Sequence, residues 1–131
     1  MIIDQKLLNQ LSAQAKANLR LRQNYDLRTS REDQSQRMLN ALEPGTILPI
    51  HRHTKSSETM VMVRGKLIER FYDDDGNFSQ EFLMQAGGEN VLLQIPVGQW
   101  HSLEVLEEGT VIFEAKDGAY EPLSEVDIMN N

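Results

Sequence analysis

The sequence predicts an all-β fold, a barrel or sandwich of short antiparallel strands, preceded by a short N-terminal helical arm. From about residue 37 onward, β-prone runs alternate with turns built on glycine, proline and aspartate. Helical periodicity is confined to the first part of the chain. At 131 residues, with 40% hydrophobic and 25% charged side chains, the chain suits one domain. A domain of this size buries about two-thirds of its unfolded surface.

The elements follow in order. Asp4 to about Leu19 reads as an amphipathic helix, because Leu7, Leu8, Leu11 and Ala15 recur at three- and four-residue steps and Asp4 can cap it. Arg20 to Arg28 reads as an irregular basic link. Ser30 to Gln34 has a capping-box-like start and suits a short helical turn. Arg37 to Leu42 is read as a strand, ended by Glu43-Pro44-Gly45. Ile47 to His53 and Thr59 to Val63 are β-rich, and the polar stretch Thr54 to Ser57 between them suggests a hairpin reversal. Leu67 to Tyr72 and Phe78 to Met84 flank Asp73-Asp74-Asp75-Gly76-Asn77, where Asp-Gly supplies the positive φ of a tight loop. Val91 to Ile95, His101 to Leu106 and Val111 to Lys116 complete the strands, and Ser124 to Met129 suggests a last turn. The expected division is a helical arm, residues 1–35, packed on a β-domain, residues 36–131.

Composition excludes several classes of function. The net charge of −7 argues against a nucleic-acid-binding domain, which carries a basic footprint. The absence of cysteine removes disulfides, thiolate metal ligands and cysteine nucleophiles together. No apolar run reaches membrane-spanning length and no secretory leader is evident, so a cytoplasmic protein is expected. Residues 1–40 carry seven Lys and Arg against four Asp and Glu, whereas residues 41–131 carry six against sixteen. A basic arm docking on an acidic β-domain would account for this asymmetry.

Chemistry concentrates in the only three histidines, His51, His53 and His101. His51, His53 and Glu58 stand at the spacing H-x-H-x4-E inside Gly45–Gly65. Side chains two apart on a strand share a face, so the two imidazoles project together from Cα atoms roughly 6.6 Å apart. Two such rings can converge on one ion, since a metal–nitrogen bond is about 2.1 Å long. Glu58 returns beside them after the turn, and His101, just past Pro96-Val97-Gly98-Gln99, can complete a set of three imidazoles and one carboxylate. Imidazole and carboxylate suit zinc, iron, manganese, nickel or copper. Histidines of ordinary pKa, near 6.5, would lose such an ion on acidification.

The spacing resembles the cupin superfamily. Its first motif, G-x5-H-x-H-x4-E-x6-G, is matched at Gly45, His51, His53, Glu58 and Gly65. Its second, G-x5-P-x-G-x2-H-x3-N, is matched at Pro96, Gly98 and His101; Asn90 stands for the first glycine and Val105 for the closing asparagine. Further stretches, Q-R-M-L-N-A-L-E-P-G-T, W-H-S-L-E-V-L-E-E-G-T-V-I-F-E-A-K-D-G and the arm around Arg22-Gln23-Asn24-Tyr25, are similar to small WbuC-type cupin metalloproteins. This resemblance implies a double-stranded β-helix (jelly-roll) barrel binding one divalent metal through His51, His53, Glu58 and His101. It also implies a role in bacterial surface-polysaccharide metabolism.

The expected partner is a small polar or sugar-derived molecule, with neither nucleic acid nor membrane, and a homodimer is left open. A non-catalytic binding or regulatory module, or an O2-dependent oxygenase, are the alternatives. Met60 and Met62 share a face with Glu58 and are read as an apolar wall. Trp100 falls on the face opposite His101. Guanidinium groups bind carboxylate and phosphate through paired donors, so Arg22 and Arg28, with Tyr25 between them, are the expected holders of an anionic ligand near the metal.

Overall fold

The computed structural model describes residues 1–129, and its only α-helix is at the N-terminus. Helix α1 (Gln5–Ala17) is followed by β1 (Arg22–Asp26), β2 (Ser35–Leu42), β3 (Glu58–Arg64), β4 (Lys66–Tyr72), β5 (Phe78–Gln85), β6 (Leu92–Ile95), β7 (Trp100–Val105) and β8 (Thr110–Asp117). A 3-10 turn at Glu125–Asp127 ends the described chain. The strands form two antiparallel sheets, ordered β1-β2-β8-β3-β6 and β5-β4-β7.

The sheets stack as a sandwich rather than closing into a fully hydrogen-bonded barrel. At the seam near the histidines, His51 makes isolated bridges to His101 and to Ile128. The run Ile47–His53, read from sequence as a strand, is therefore extended without forming a ladder. Pro49 lies within it and has no N–H to contribute. The expected hairpin at Thr54–Ser57 is also corrected: β3 pairs with β6 and β8 instead of the preceding run. The loop carries the chain from one sheet to the other, which places His51 and Glu58 on opposite sides of the seam.

Strand alternation gives the larger sheet two buried faces. Leu39, Ala41 and Val111 meet Leu8, Leu11 and Ala15 of α1, with Tyr25 and Phe113 packed alongside. Leu42, Met60, Met62 and Ile112 point the other way, against Leu67, Met84 and Val105 of the second sheet and the strands beside it. The helix is capped as expected, with Leu7 N–H donating to Asp4 Oδ1 at 3.0 Å. Its docking is mainly apolar; Lys16 approaches Glu43 and Glu108 at only 3.9 and 4.0 Å. Hydrogen bonding across that interface runs largely from the β-domain, where Arg64 donates to Gln5, Asn9 and Ser12.

Two segments of the arm differ from expectation. Arg22–Asp26 is not an irregular link but edge strand β1, paired with β2 from Arg22↔Leu42 to Asp26↔Met38. Residues 30–34 form turns and bends, not a helical turn. There Asp33 Oδ1 accepts from Ser35 N–H at 3.1 Å, which leads the chain into β2.

Candidate metal centre

The three imidazoles converge at the seam of the sandwich. One ring nitrogen from each of His51, His53 and His101 lies within 4.8 Å of the other two. His51 and His101 are locked together by main-chain bonds, His51 N–H to His101 O at 3.1 Å and His101 N–H to His51 O at 2.9 Å. Their Nδ1 atoms face carbonyls two residues back, Pro49 O at 2.9 Å and Gln99 O at 2.8 Å. A proton on each Nδ1 satisfies those contacts and leaves the Nε2 lone pair for the cluster, the orientation that metal-binding histidines adopt. Nε2 of His53 is buried and has no hydrogen-bond partner among the described residues.

Glu58 opens β3, paired across to Lys116 on β8 and Ile95 on β6, and is 4% exposed. Its Oε2 lies 3.3 Å from His101 Nε2 and 4.0 Å from His53 Nε2, and its Oε1 is 3.8 Å from Lys116 Nζ. The residues present therefore fit a divalent transition ion: three imidazole nitrogen donors, one of them orphaned, and one carboxylate.

Electrostatics favour the same donor forms. Burial, assisted by the charge of His101, lowers the His51 pKa to about 4. Burial, assisted by Lys116, lowers that of His53 to about 4. Burial pushes Glu58 upward, but hydrogen bonds with Glu114 and His101 and the charge of Lys116 outweigh it and hold the carboxylate ionised below its ordinary range. Glu114 is the opposite case: burial, then the charge of Glu58, raises it well above the ordinary range. As a neutral acid it donates to Glu58, while Asn40 Nδ2 donates to Glu114 Oε1 at 2.6 Å.

The cluster opens into a cavity of about 400 Å³ whose lining includes Arg20, Arg22, Asn24, Met60, Glu69 and Lys116. Arg22 Nη1 donates to Ile47 O at 3.4 Å and makes no ion pair among the described residues. Burial, then the nearby charge of Arg20, lowers its pKa.

Tyr25 and Arg28 are placed elsewhere. Tyr25 pairs with Leu39, so it faces α1, whereas Arg22 pairs with Leu42 on the cavity side. Arg28 is held by Asp26, with Nη2–Oδ2 at 2.6 Å, and lies over the Tyr120 ring in an adjoining pocket of about 300 Å³. Trp100 points away from the cluster as expected, stacked under Arg52 at 4.6 Å and donating to Asp74 at 3.1 Å.

Asn40, Glu69, Glu114 and Lys116 were not singled out by sequence reading. The one signal is alternation at Glu69, which stands between Leu67 and Phe71 on an apolar strand face; Asn40 and Glu114 share their faces with other polar residues.

Solved structures share this architecture. The capsular polysaccharide assembling protein CapF from Staphylococcus aureus superposes with a TM-score of 0.63 at 22% identity, over 76% of this chain and 27% of its own. KdgF from Halomonas sp. gives 0.59 at 10% identity, over 74% and 80%. Bacillus subtilis oxalate decarboxylase, a protein with Mn(II) centres, gives 0.56 at 25% identity, over 77% and 26%. These are cupin-fold proteins, and the cupin fold of the present chain is shown by the likeness. The chain spans little more than a quarter of the CapF polypeptide. No curated protein matches the sequence. Residues 3–84 match the family described as "Domain of unknown function (DUF6016)". Among the described residues, no helix is long and apolar enough to cross a membrane.

Proposed function

We propose, for a chain that belongs to the DUF6016 family and has a cupin fold, that it holds one divalent transition metal through His51, His53, His101 and Glu58 and acts on a small polar, anionic molecule. The observation that carries the metal is the convergence of three ring nitrogens within 4.8 Å, with His53 Nε2 buried and unpartnered. An ion there supplies Lewis acidity toward a carbonyl, hydroxyl or carboxylate oxygen.

The chain's own residues do the rest. Pro49 O and Gln99 O fix the tautomers of His51 and His101, and Lys116 and Glu114 hold Glu58 in its ionised form. Met60 and Ile112 exclude water from one wall of the cavity. Arg22, without a carboxylate partner among the described residues, is available to a carboxylate or phosphate of the ligand. The WbuC-type resemblance of the sequence supports a sugar-derived substrate from surface-polysaccharide metabolism.

Elemental analysis of the purified protein tests the centre. We expect about one divalent ion per chain, lost in the double variant His51→Ala/His101→Ala while the fold persists; stoichiometric metal in that variant refutes the assignment. Arg22→Ala should weaken carboxylate binding without changing metal content. Incorporation of solvent deuterium into sugar-derived substrates separates an enzyme from a binding module.

A further inference from the structure

Glu69 makes no side-chain hydrogen bond or ion pair among the described residues. It sits at the middle of β4 between Leu67 and Phe71, all three pointing into the sandwich, and it is 1% exposed. Both carboxyl oxygens are buried without a hydrogen-bond partner among the described residues. A buried polar group left unmatched is strongly unfavourable, and native interiors keep few of them. Leucine or methionine would fill the position in an otherwise apolar row. Yet Glu69 lines the same 400 Å³ cavity as the histidines and Arg22.

We propose that Glu69 is a substrate-contacting residue, whose carboxyl hydrogen-bonds a hydroxyl group of the ligand. The ligand class is then a polyhydroxy carboxylate: its anionic group meets Arg22, and its hydroxyl-bearing part reaches Glu69. This rests on the metal-cavity reading and narrows its substrate class. Three observations favour a hydroxyl over an ammonium group at Glu69. Burial, then the charge of Glu58, raises the Glu69 pKa well above the ordinary range, so the group is a neutral acid that can both donate and accept. Arg20, Arg22 and Lys116 line the same cavity, and their charges disfavour an organic cation outside the metal donor set. A sugar-like chain also supplies several neutral donors and acceptors, which suits a cavity of mixed polar and apolar lining.

The test uses full-length protein loaded with zinc, with metal content measured first and ligand binding by calorimetry second. Gluconate is the polyhydroxy acid probe and propionate the probe for the carboxylate alone. Zinc-loaded wild type should bind gluconate at least about tenfold more tightly than propionate. Glu69→Leu should abolish that preference, retain stoichiometric zinc and propionate binding, and melt at or above the wild-type temperature because the unmatched carboxyl is gone. Glu69→Gln, which keeps a donor and an acceptor, should retain most of the gluconate preference.

Three results overturn the proposal: no gluconate preference in the wild type, an undiminished preference in Glu69→Leu, or zinc lost from that variant, which would make Glu69 a metal ligand. Failure of both variants to fold also overturns it, since Glu69 would then be structural. Failure of wild-type protein to hold zinc is a separate result, and refutes the metal centre itself.

Discussion

Lowering the pH from 7.5 to 5 should barely disturb the contribution of His51 and His53 to metal binding. An ion displaces protons from its ligands, so the penalty at any pH is the fraction of each imidazole already protonated. Two histidines with the ordinary pKa of about 6.5 would each be only about 3% neutral at pH 5, and together would weaken binding roughly a thousandfold. Here both are lowered to about 4, chiefly by burial at the seam. Each is then about 90% neutral at pH 5, and the pair weakens binding by only about 1.2-fold. Proton competition at these two rings is thus displaced toward pH 4. Competition titrations with a zinc-sensitive chelator, corrected for the chelator's own protonation, measure this directly. A loss of affinity beyond about a hundredfold between pH 7.5 and 5 would mean that the two rings titrate as exposed imidazoles, and would refute the buried-donor argument.

In the metal-free protein, His51 and His53 should each lower stability as pH drops from about 6.5 to about 4, because unfolded imidazoles take up protons that the folded ones refuse. Glu69 and Glu114, neutral in the folded protein, act in the opposite direction. Each of the two histidines has an upper limit of about 3 kcal/mol on its own share, at about 1.4 kcal/mol per pKa unit, and urea unfolding of wild type against His51→Ala across that window measures the His51 share. Gly65→Ala should cost about 4 kcal/mol, since its φ is +80° and an added Cβ would stand 2.7 Å from Thr110 Cα. The corresponding drop in urea midpoint is about 2 M, and an unchanged midpoint would contradict the close approach of β8. Leu11→Ala should cost about 3 kcal/mol by leaving a cavity between α1 and the larger sheet, with metal content unchanged.

The histidines and Glu58 could be read from sequence because their spacing carries the geometry: H-x-H puts two rings on one side of any extended backbone. That inference survives although Ile47–His53 forms no ladder, since only the extended conformation was needed. The hairpin did not survive, because whether β-rich neighbours pair with each other or cross between sheets is decided by distant partners. Here those partners are β7 and the tail at Ile128. The arm shows the same limit. Arg22 and Tyr25 look alike as donors in a polar stretch, and only the register of β1 on β2 sends one to the cavity and the other to α1. Glu69 and Glu114 were passed over for a different reason: a glutamate in an alternating strand reads as solvent-facing until its neighbours' burial is known.

The position of the donor set across the seam has a mechanical consequence. His101 belongs to the smaller sheet and Glu58 to the larger, while His51 and His53 lie on the loop that crosses between them. No disulfide ties those layers, as the chain has no cysteine. An ion shared by these side chains would serve as the cross-link that a disulfide provides in other small β-sandwiches, and one that a chelator could open. Amides bordering the seam in β3 and β7 would then exchange with solvent faster once the ion is withdrawn, so that occupancy of the centre could be followed in the spacing of the two sheets.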